Sequence, residues 1–215
     1  VSHTGLSAEE TIRRIEECGS WMVLKNVNRD PAYRMLLDSA LDELASVVTP
    51  ATGVMLTRVG FVFVSSPGAV TPFHLDPEHN VLLQIRGTKT MMVVPGDENA
   101  VPAEKHEAYH VGGHRNVAWR DEFAVRGATY ELKPGDAVHV PLKWPHWVRN
   151  GPEPSVSLSI TWRTHWSYEE ADARGLNSVL RGAGLDPRSP AAWPSRNRAK
   201  SLAYRAIRRG RRMLG

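Results

Sequence analysis

The sequence predicts a mainly β fold, a double-stranded β-helix or jelly roll, with flanking N- and C-terminal α-helices. Two observations carry this. From Val54 to Thr164 the chain reads as short β-branched and aromatic runs broken by Gly, Pro and Asp, the pattern of an antiparallel sandwich or barrel. On either side the apolar spacing changes to that of helices. Three segments follow: residues 1–53 as a helix-and-strand flank, 54–165 as the core, and 166–215 as a helical extension ending in a basic tail.

In chain order, Ser7 followed by Glu10 is a capping pair, and helix-spaced Ile12 and Ile15 continue a first helix. After Gly19, the run Ser20–Val27 has strand character. Asn28-Arg29-Asp30-Pro31 then turns into a second helix carrying Tyr33, Leu36, Leu37, Leu41, Leu44 and Val47, expected to stop at Thr49-Pro50. Eight core strands are expected at Gly60–Ser65, Val70–Leu75, Asn80–Arg86, Lys89–Val94, Ala128–Leu132, Ala137–Val140, Trp147–Asn150 and Val156–Arg163. Eight short strands suit a jelly roll. The connection Pro95–Val125 is longer than a hairpin requires and reads as a lid or binding loop. Beyond Trp166 the pattern returns to helix and loop, punctuated by Pro187, Pro190 and Pro194.

Composition bounds the function. With 215 residues, 41% of them hydrophobic, and no apolar run long enough for a membrane span, the chain has the makings of one soluble domain with terminal additions. Cys18 is the one cysteine, so an intrachain disulfide and a cysteine-rich zinc module are both excluded, and a cytoplasmic location is expected. No charged-then-apolar leader opens the sequence, which starts at Val1. The net charge of +4 is unevenly spread: residues 196–215 hold eight Lys or Arg and no acid, which leaves the first 195 residues at −4. Any attraction for nucleic acid or an acidic surface therefore belongs to the tail alone. There, Leu202, Ala203, Tyr204, Ile207, Met213 and Leu214 interleave with arginines as in a basic amphipathic helix. Such a helix could equally pack one face on the core or on a second copy of the chain in a homodimer.

The chemistry concentrates in Thr71-Pro72-Phe73-His74-Leu75-Asp76 and, seventy residues after Asp76, in Trp144-Pro145-His146-Trp147. On a strand His74 and Asp76 would project together while Leu75 packs on the opposite side. Two imidazoles and one carboxylate suit a non-haem Fe(II) centre because three ligands leave coordination positions open. His-x-Asp by itself is a common accident, and a hydrogen-bonded cluster without metal is its plain alternative. Lys133-Pro134-Gly135-Asp136 is a tight turn that delivers the late histidine at a strand end. By periodicity Lys89 is an ordinary strand lysine, Thr71 reflects β-propensity, and Asn80 is a turn residue.

Taken together, Phe61–Gly68, Thr71–Pro77, Asn80, Gly87, Lys89 and Trp144-Pro145-His146 resemble the JmjC and cupin-like Fe(II)/2-oxoglutarate-dependent dioxygenases over roughly residues 54–165, particularly the branch of the asparaginyl hydroxylase acting on hypoxia-inducible factor. The resemblance implies that His74, Asp76 and His146 bind Fe(II), and that Thr71, Asn80 and Lys89 contact or frame the cosubstrate 2-oxoglutarate. Thr161 stands fifteen residues beyond His146, where the branch often has asparagine, and is the candidate for that part of the cosubstrate site. No early-strand tyrosine matches the one that commonly meets the distal carboxylate. The activity implied is hydroxylation of a protein side chain or small molecule, with dioxygen consumed and 2-oxoglutarate converted to succinate and carbon dioxide. Demethylation would be hydroxylation of an N-methyl group. The alternatives are a non-catalytic cupin-like module holding a small ligand, or a nucleic-acid-associated regulator acting through the tail.

Two further groups stand apart. His106, His110 and His114 recur at helical spacing, but Gly112-Gly113 interrupts them and favours a polar loop over a second metal site. Trp144, Trp147, Trp162 and Trp166 are candidates for a substrate mouth or for packing, Trp144 being the nearest to a ligand.

Overall fold

Strands from both halves of the chain close on each other as two antiparallel sheets, described by a computed structural model over residues 5–214. The chain runs α1 (Ala8–Arg13), β1 (Trp21–Lys25), α2 (Pro31–Thr52), β2 (Thr57–Ser65), β3 (Val70–His74), β4 (His79–Arg86), β5 (Lys89–Val93), α3 (Ala103–His110), α4 (Phe123–Arg126), β6 (Ala128–Leu132), β7 (Ala137–Val140), β8 (His146–Asn150), β9 (Ser155–Arg163), α5 (His165–Gly182) and α6 (Arg198–Leu214). One sheet has the order β1-β2-β9-β4-β7 and the other β3-β8-β5-β6. The fold is a mainly β jelly roll with flanking helices, as the run pattern predicts. Consecutive strands alternate between the sheets in places, so residues distant in sequence become neighbours across the interior.

The five-stranded sheet shows how alternation sets its two faces. In β9, Leu158, Ile160 and Trp162 point outward and pack with Leu37 and Leu41 of α2, Met55 and Val81. The intervening Ser157, Ser159 and Thr161 turn inward. Helix α2 lies so close to β2 that a Cβ on Gly60 would stand 2.7 Å from Leu37 Cδ1 and 2.8 Å from Val27 Cγ2, which explains glycine in mid-strand. Between the sheets, Leu82, Met91, Val93, Leu132, Val138 and Val140 form a second core. Phe73, Leu75, Val94, Ala100, Val101 and Phe123 form a third beneath the long connection.

Helix ends follow local chemistry. Ser7 and Glu10 make the expected capping box, with Glu10 N–H donating to Ser7 Oγ (3.2 Å) and Ser7 N–H to Glu10 Oε2 (2.9 Å). Helix α2 starts at Pro31 under the side chain of Asp30. It does not stop at Pro50 as expected but continues to Thr52. Side chains satisfy carbonyls of this last turn: Thr52 Oγ1 donates to Val48 O (3.1 Å) and Trp193 Nε1 to Pro50 O (3.0 Å). The apolar positions of α2 also divide. Leu37 and Leu41 are buried, whereas Tyr33, Leu36, Leu44 and Val47 face solvent.

Residues 95–125 do not form a bare loop; they carry α3 and α4. His106 and His110 lie on α3 rather than in a polar loop, and the two glycines fall just after it. Helix α3 is held on α5 by Glu107, which accepts from Asn177 Nδ2 (3.0 Å) and Arg181 Nε (2.7 Å). The basic helix α6 packs on α5 through Ser201 and Tyr204, and part of the tail's charge is neutralised there: Arg196 Nε meets Glu169 (2.8 Å) and Arg205 Nε meets Asp172 (2.6 Å). Among the described residues no helix is long and apolar enough to cross a membrane.

Candidate metal centre and its cavity

His74 closes β3 and His146 opens β8, and the two residues are directly paired across the antiparallel ladder. Their ring centroids are 4.3 Å apart. Asp76 lies two residues past the end of β3 rather than on the strand, while Leu75 is fully buried on the other side. The chain segment after α3 runs beside this corner, with Leu75 N–H donating to Arg115 O (3.2 Å) and Val117 N–H to Phe73 O (2.9 Å).

The donor atoms converge. His74 Nδ1 lies 2.8 Å from Pro72 O and His146 Nδ1 lies 3.0 Å from Trp144 O. Each carbonyl selects the tautomer protonated at Nδ1 and leaves Nε2 with a free lone pair, the arrangement that orients metal-binding histidines. Both Nε2 atoms are 3.6 Å from Asp76 Oδ2. The other oxygen, Oδ1, accepts from Arg115 Nη1 at 2.9 Å. The three candidate ligand atoms lie within 4.8 Å of one another, and this is the group of His, Cys, Asp and Glu among the described residues that could hold a metal ion. Two nitrogens and one oxygen, with no fourth His, Cys, Asp or Glu in the group among the described residues, fit a divalent transition metal with open positions. Burial would raise the Asp76 carboxyl, but the adjacent His74 and His146 imidazoles and the Arg115 guanidinium hold it well below the usual carboxylate range. Burial pushes His146 down to about 4. Both shifts favour the deprotonated forms that a cation requires.

The three ligands line one end of a cavity of about 280 Å³ between the sheets. Thr71, Asn80, Lys89 and Thr161 also line it, so every residue that the sequence singles out for metal or cosubstrate is in one place. Lys89 starts β5 opposite Asn150, whereas His146 pairs with Val93, so the lysine lies four residues along the strand from the metal end, about 13 Å of strand. Its side chain is buried and meets no carboxylate among the described residues. Burial holds its pKa down at about 8. Asn80 Oδ1 accepts from Ser159 Oγ (2.7 Å), and Thr161 Oγ1 donates to Val59 O (3.3 Å).

The cavity has further walls that the motif reading did not identify. Trp21, Val23 and Lys25 of β1 line it from the N-terminal flank, beside Phe61 and Phe63 of the paired strand β2. Glu78 and Arg115 lie near the metal end, and burial raises Glu78 to about 7. The period-2 pattern of Trp21, Val23 and Lys25 is a strand signal, but only pairing of β1 with β2 reveals which face they occupy. Trp144 is partly exposed and does not line the cavity. His106 is buried, His110 half-buried and His114 exposed, and burial lowers the first two to about 3, so they are neutral core histidines.

Comparison with known proteins finds similarity over part of the chain. The chain is 33% identical over 108 residues to Jumonji C domain-containing protein 5 of Drosophila melanogaster, a match covering 44% of this chain and 25% of the relative. It is 28% identical over 109 residues to a lysine-specific demethylase of Arabidopsis thaliana, covering 47% of this chain and 24% of that protein. The chain thus spans about a quarter of the length of the curated relatives it matches. No protein-family model matches it. Among solved structures, an oxalate decarboxylase of Bacillus subtilis aligns with a TM-score of 0.35 and 23% identity over 60% of this chain and 29% of that one. An RmlC-like cupin of Shewanella frigidimarina aligns with a TM-score of 0.33 and 13% identity over 50% and 68%.

Proposed function

We propose that this chain is an Fe(II)- and 2-oxoglutarate-dependent oxygenase, a hydroxylase of a protein side chain or small molecule. One observation carries the reading: a two-histidine, one-carboxylate group and a buried lysine without a counter-charge among the described residues occupy opposite ends of a single cavity. A buried ammonium is costly unless an anion pairs with it, so the cavity is electrostatically incomplete without an anionic ligand. A dicarboxylate that chelates a metal at one end and meets Lys89 at the other completes both ends. The similarity to Jumonji C proteins supports the same assignment, while the likeness to the asparaginyl hydroxylase branch rests on the offsets of Thr71, Asn80 and Lys89.

In this reading His74, Asp76 and His146 hold Fe(II), and Thr71, Asn80, Lys89 and Thr161 bind 2-oxoglutarate. Bound iron with its cosubstrate and dioxygen supplies the oxidising power, coupling decarboxylation to succinate with oxidation of a substrate C–H. The chain's own contribution is orientation and exclusion of water. The carbonyls of Pro72 and Trp144 hold the imidazoles in the binding tautomer. Arg115 fixes the Asp76 carboxylate through Oδ1 and leaves Oδ2 turned to both imidazoles. Met91 and Val148, beside Thr71 on the same sheet, give the cosubstrate passage an apolar lining in which the lysine charge is weakly screened. The wall of Trp21, Val23, Phe61 and Phe63 is the face available to the molecule oxidised.

The test is release of succinate from 2-oxoglutarate by aerobic, iron-loaded protein, with loss on His74→Ala or Asp76→Ala. Metal analysis after anaerobic purification separates this from a non-catalytic binding module: near-stoichiometric iron or a surrogate divalent ion supports the oxygenase, and a metal-free protein that still binds a small ligand supports the module.

A further inference from the structure

Residues 141–145, between β7 and β8, carry a buried charge that the triad does not account for. Lys143 is 5% exposed and adopts the left-handed backbone conformation, φ +61°, which is unfavourable for a side chain with a Cβ. Its ammonium forms an ion pair with Glu170 of α5, itself 4% exposed. Glu170 also accepts from Arg174 Nε at 2.8 Å. A buried pair of this kind offers little net stability over apolar residues of the same volume, so its presence calls for another explanation.

That explanation lies in what the Lys143 backbone touches. Its N–H donates to Asp76 O (3.0 Å), fixing the residue that carries the carboxylate ligand. The next residue, Trp144, supplies the carbonyl that holds His146 Nδ1 (3.0 Å). Pro145 O accepts from Val94 N–H (2.9 Å), tying the same turn to the end of β5. One peptide segment therefore sets both Asp76 and His146, and its side-chain anchor is on a helix outside the barrel. Gly96 passes so close that a Cβ there would stand 2.7 Å from Lys143 O, so the turn is also boxed in from the far side.

We infer that Lys143, held by Glu170, is a positioning residue for the metal triad: the buried ion pair keeps the turn in its left-handed form and so aligns Asp76 with His146. The inference rests on the metal-centre reading above. Interactions that orient metal ligands from behind typically change affinity by about 10–100-fold when removed. Removing the ammonium frees the turn to relax, and the two ligands lose their common reference.

The experiment uses the full chain and Co(II) as the probe, following its dissociation constant and visible ligand-field bands, with thermal melting of the metal-free protein as the control for folding. Lys143→Met is expected to weaken Co(II) by about tenfold or more and to shift the bands, while Lys143→Arg restores both toward the parent. Because Lys143→Met leaves Glu170 with one partner fewer in a buried site, the double variant Lys143→Met/Glu170→Gln, which removes both charges, is measured in parallel and is expected to show the same metal defect. A folded variant of either kind with the parent's affinity and bands overturns the inference. If the parent itself binds no Co(II), it is the metal-centre reading that fails.

Discussion

His74 and His146 face each other across the β3–β8 ladder, and a single oxygen, Asp76 Oδ2, stands 3.6 Å from Nε2 of both rings. Three potential ligands share one focal point before any cation is considered. A divalent metal should therefore raise the melting temperature of the parent protein, since a ligand present at a hundred times its dissociation constant stabilises by about 2.7 kcal/mol. In His74→Ala, Asp76→Ala and His146→Ala that metal-dependent increment should disappear. Calorimetric melts with and without Co(II) check this, and an undiminished shift in all three variants would remove the assignment.

Lys89→Met should separate cosubstrate binding from folding. A hydrogen bond to a charged group contributes about 1.5–3 kcal/mol, so the dissociation constant for 2-oxoglutarate should rise by about ten- to a hundredfold. The ammonium has no counter-charge among the described residues, so thermal stability should hold or rise. Titration of metal-loaded protein with 2-oxoglutarate, with a melt beside it, tests both parts.

The same lysine gives a signed pH dependence. Burial holds it at about 8 in the folded protein, below its usual value. Above that pH the folded state has lost a proton that the unfolded chain retains, so the group's destabilising effect is relieved as pH rises through the folded pKa. Urea unfolding of the parent should gain on Lys89→Met between pH 7.5 and 9.5. Affinity for 2-oxoglutarate should run the other way, strongest below about 8 and weakening above it, because the pairing form is the ammonium. A flat difference in stability together with pH-independent binding would contradict the role.

Gly60→Ala should destabilise the fold without touching the cavity. The new methyl would meet Leu37 Cδ1 at 2.7 Å on the outer face of β2, and overpacking of this kind costs about 1–3 kcal/mol. Leu41→Ala, at a fully buried position on the same face, should cost about 2–5 kcal/mol through the cavity it leaves. Urea midpoints measure both, and Co(II) affinity should remain that of the parent.

Much of this architecture is legible in short stretches of sequence because the relevant interactions are local. The Ser–Leu–Ser–Ile–Thr–Trp alternation of residues 157–162 fixes which side of β9 is apolar, and Ser7 with Glu10 writes the start of α1. Helix α3 was hidden because a glycine pair beside a histidine run reads as loop, and its burial depends on Glu107 reaching Asn177 and Arg181 some seventy residues away. Pro50 does not stop α2 as its local signal suggests, and its carbonyl is met by Trp193, from the other end of the chain.

The sequence by itself determined the jelly-roll class through strand periodicity and offered the candidate metal residues through motif spacing, whereas Thr71, Asn80 and Lys89 were singled out by the family resemblance, periodicity alone reading them as ordinary strand and turn residues. Only the tertiary structure decided that Trp21, Val23 and Lys25 wall the same cavity, that Arg115 holds Asp76, and that Lys143 reaches Glu170. Periodicity specifies which face a side chain takes on its own strand. Which distant partner that face meets is set by the register and order of strands across two sheets, a long-range choice made by burial of the whole core.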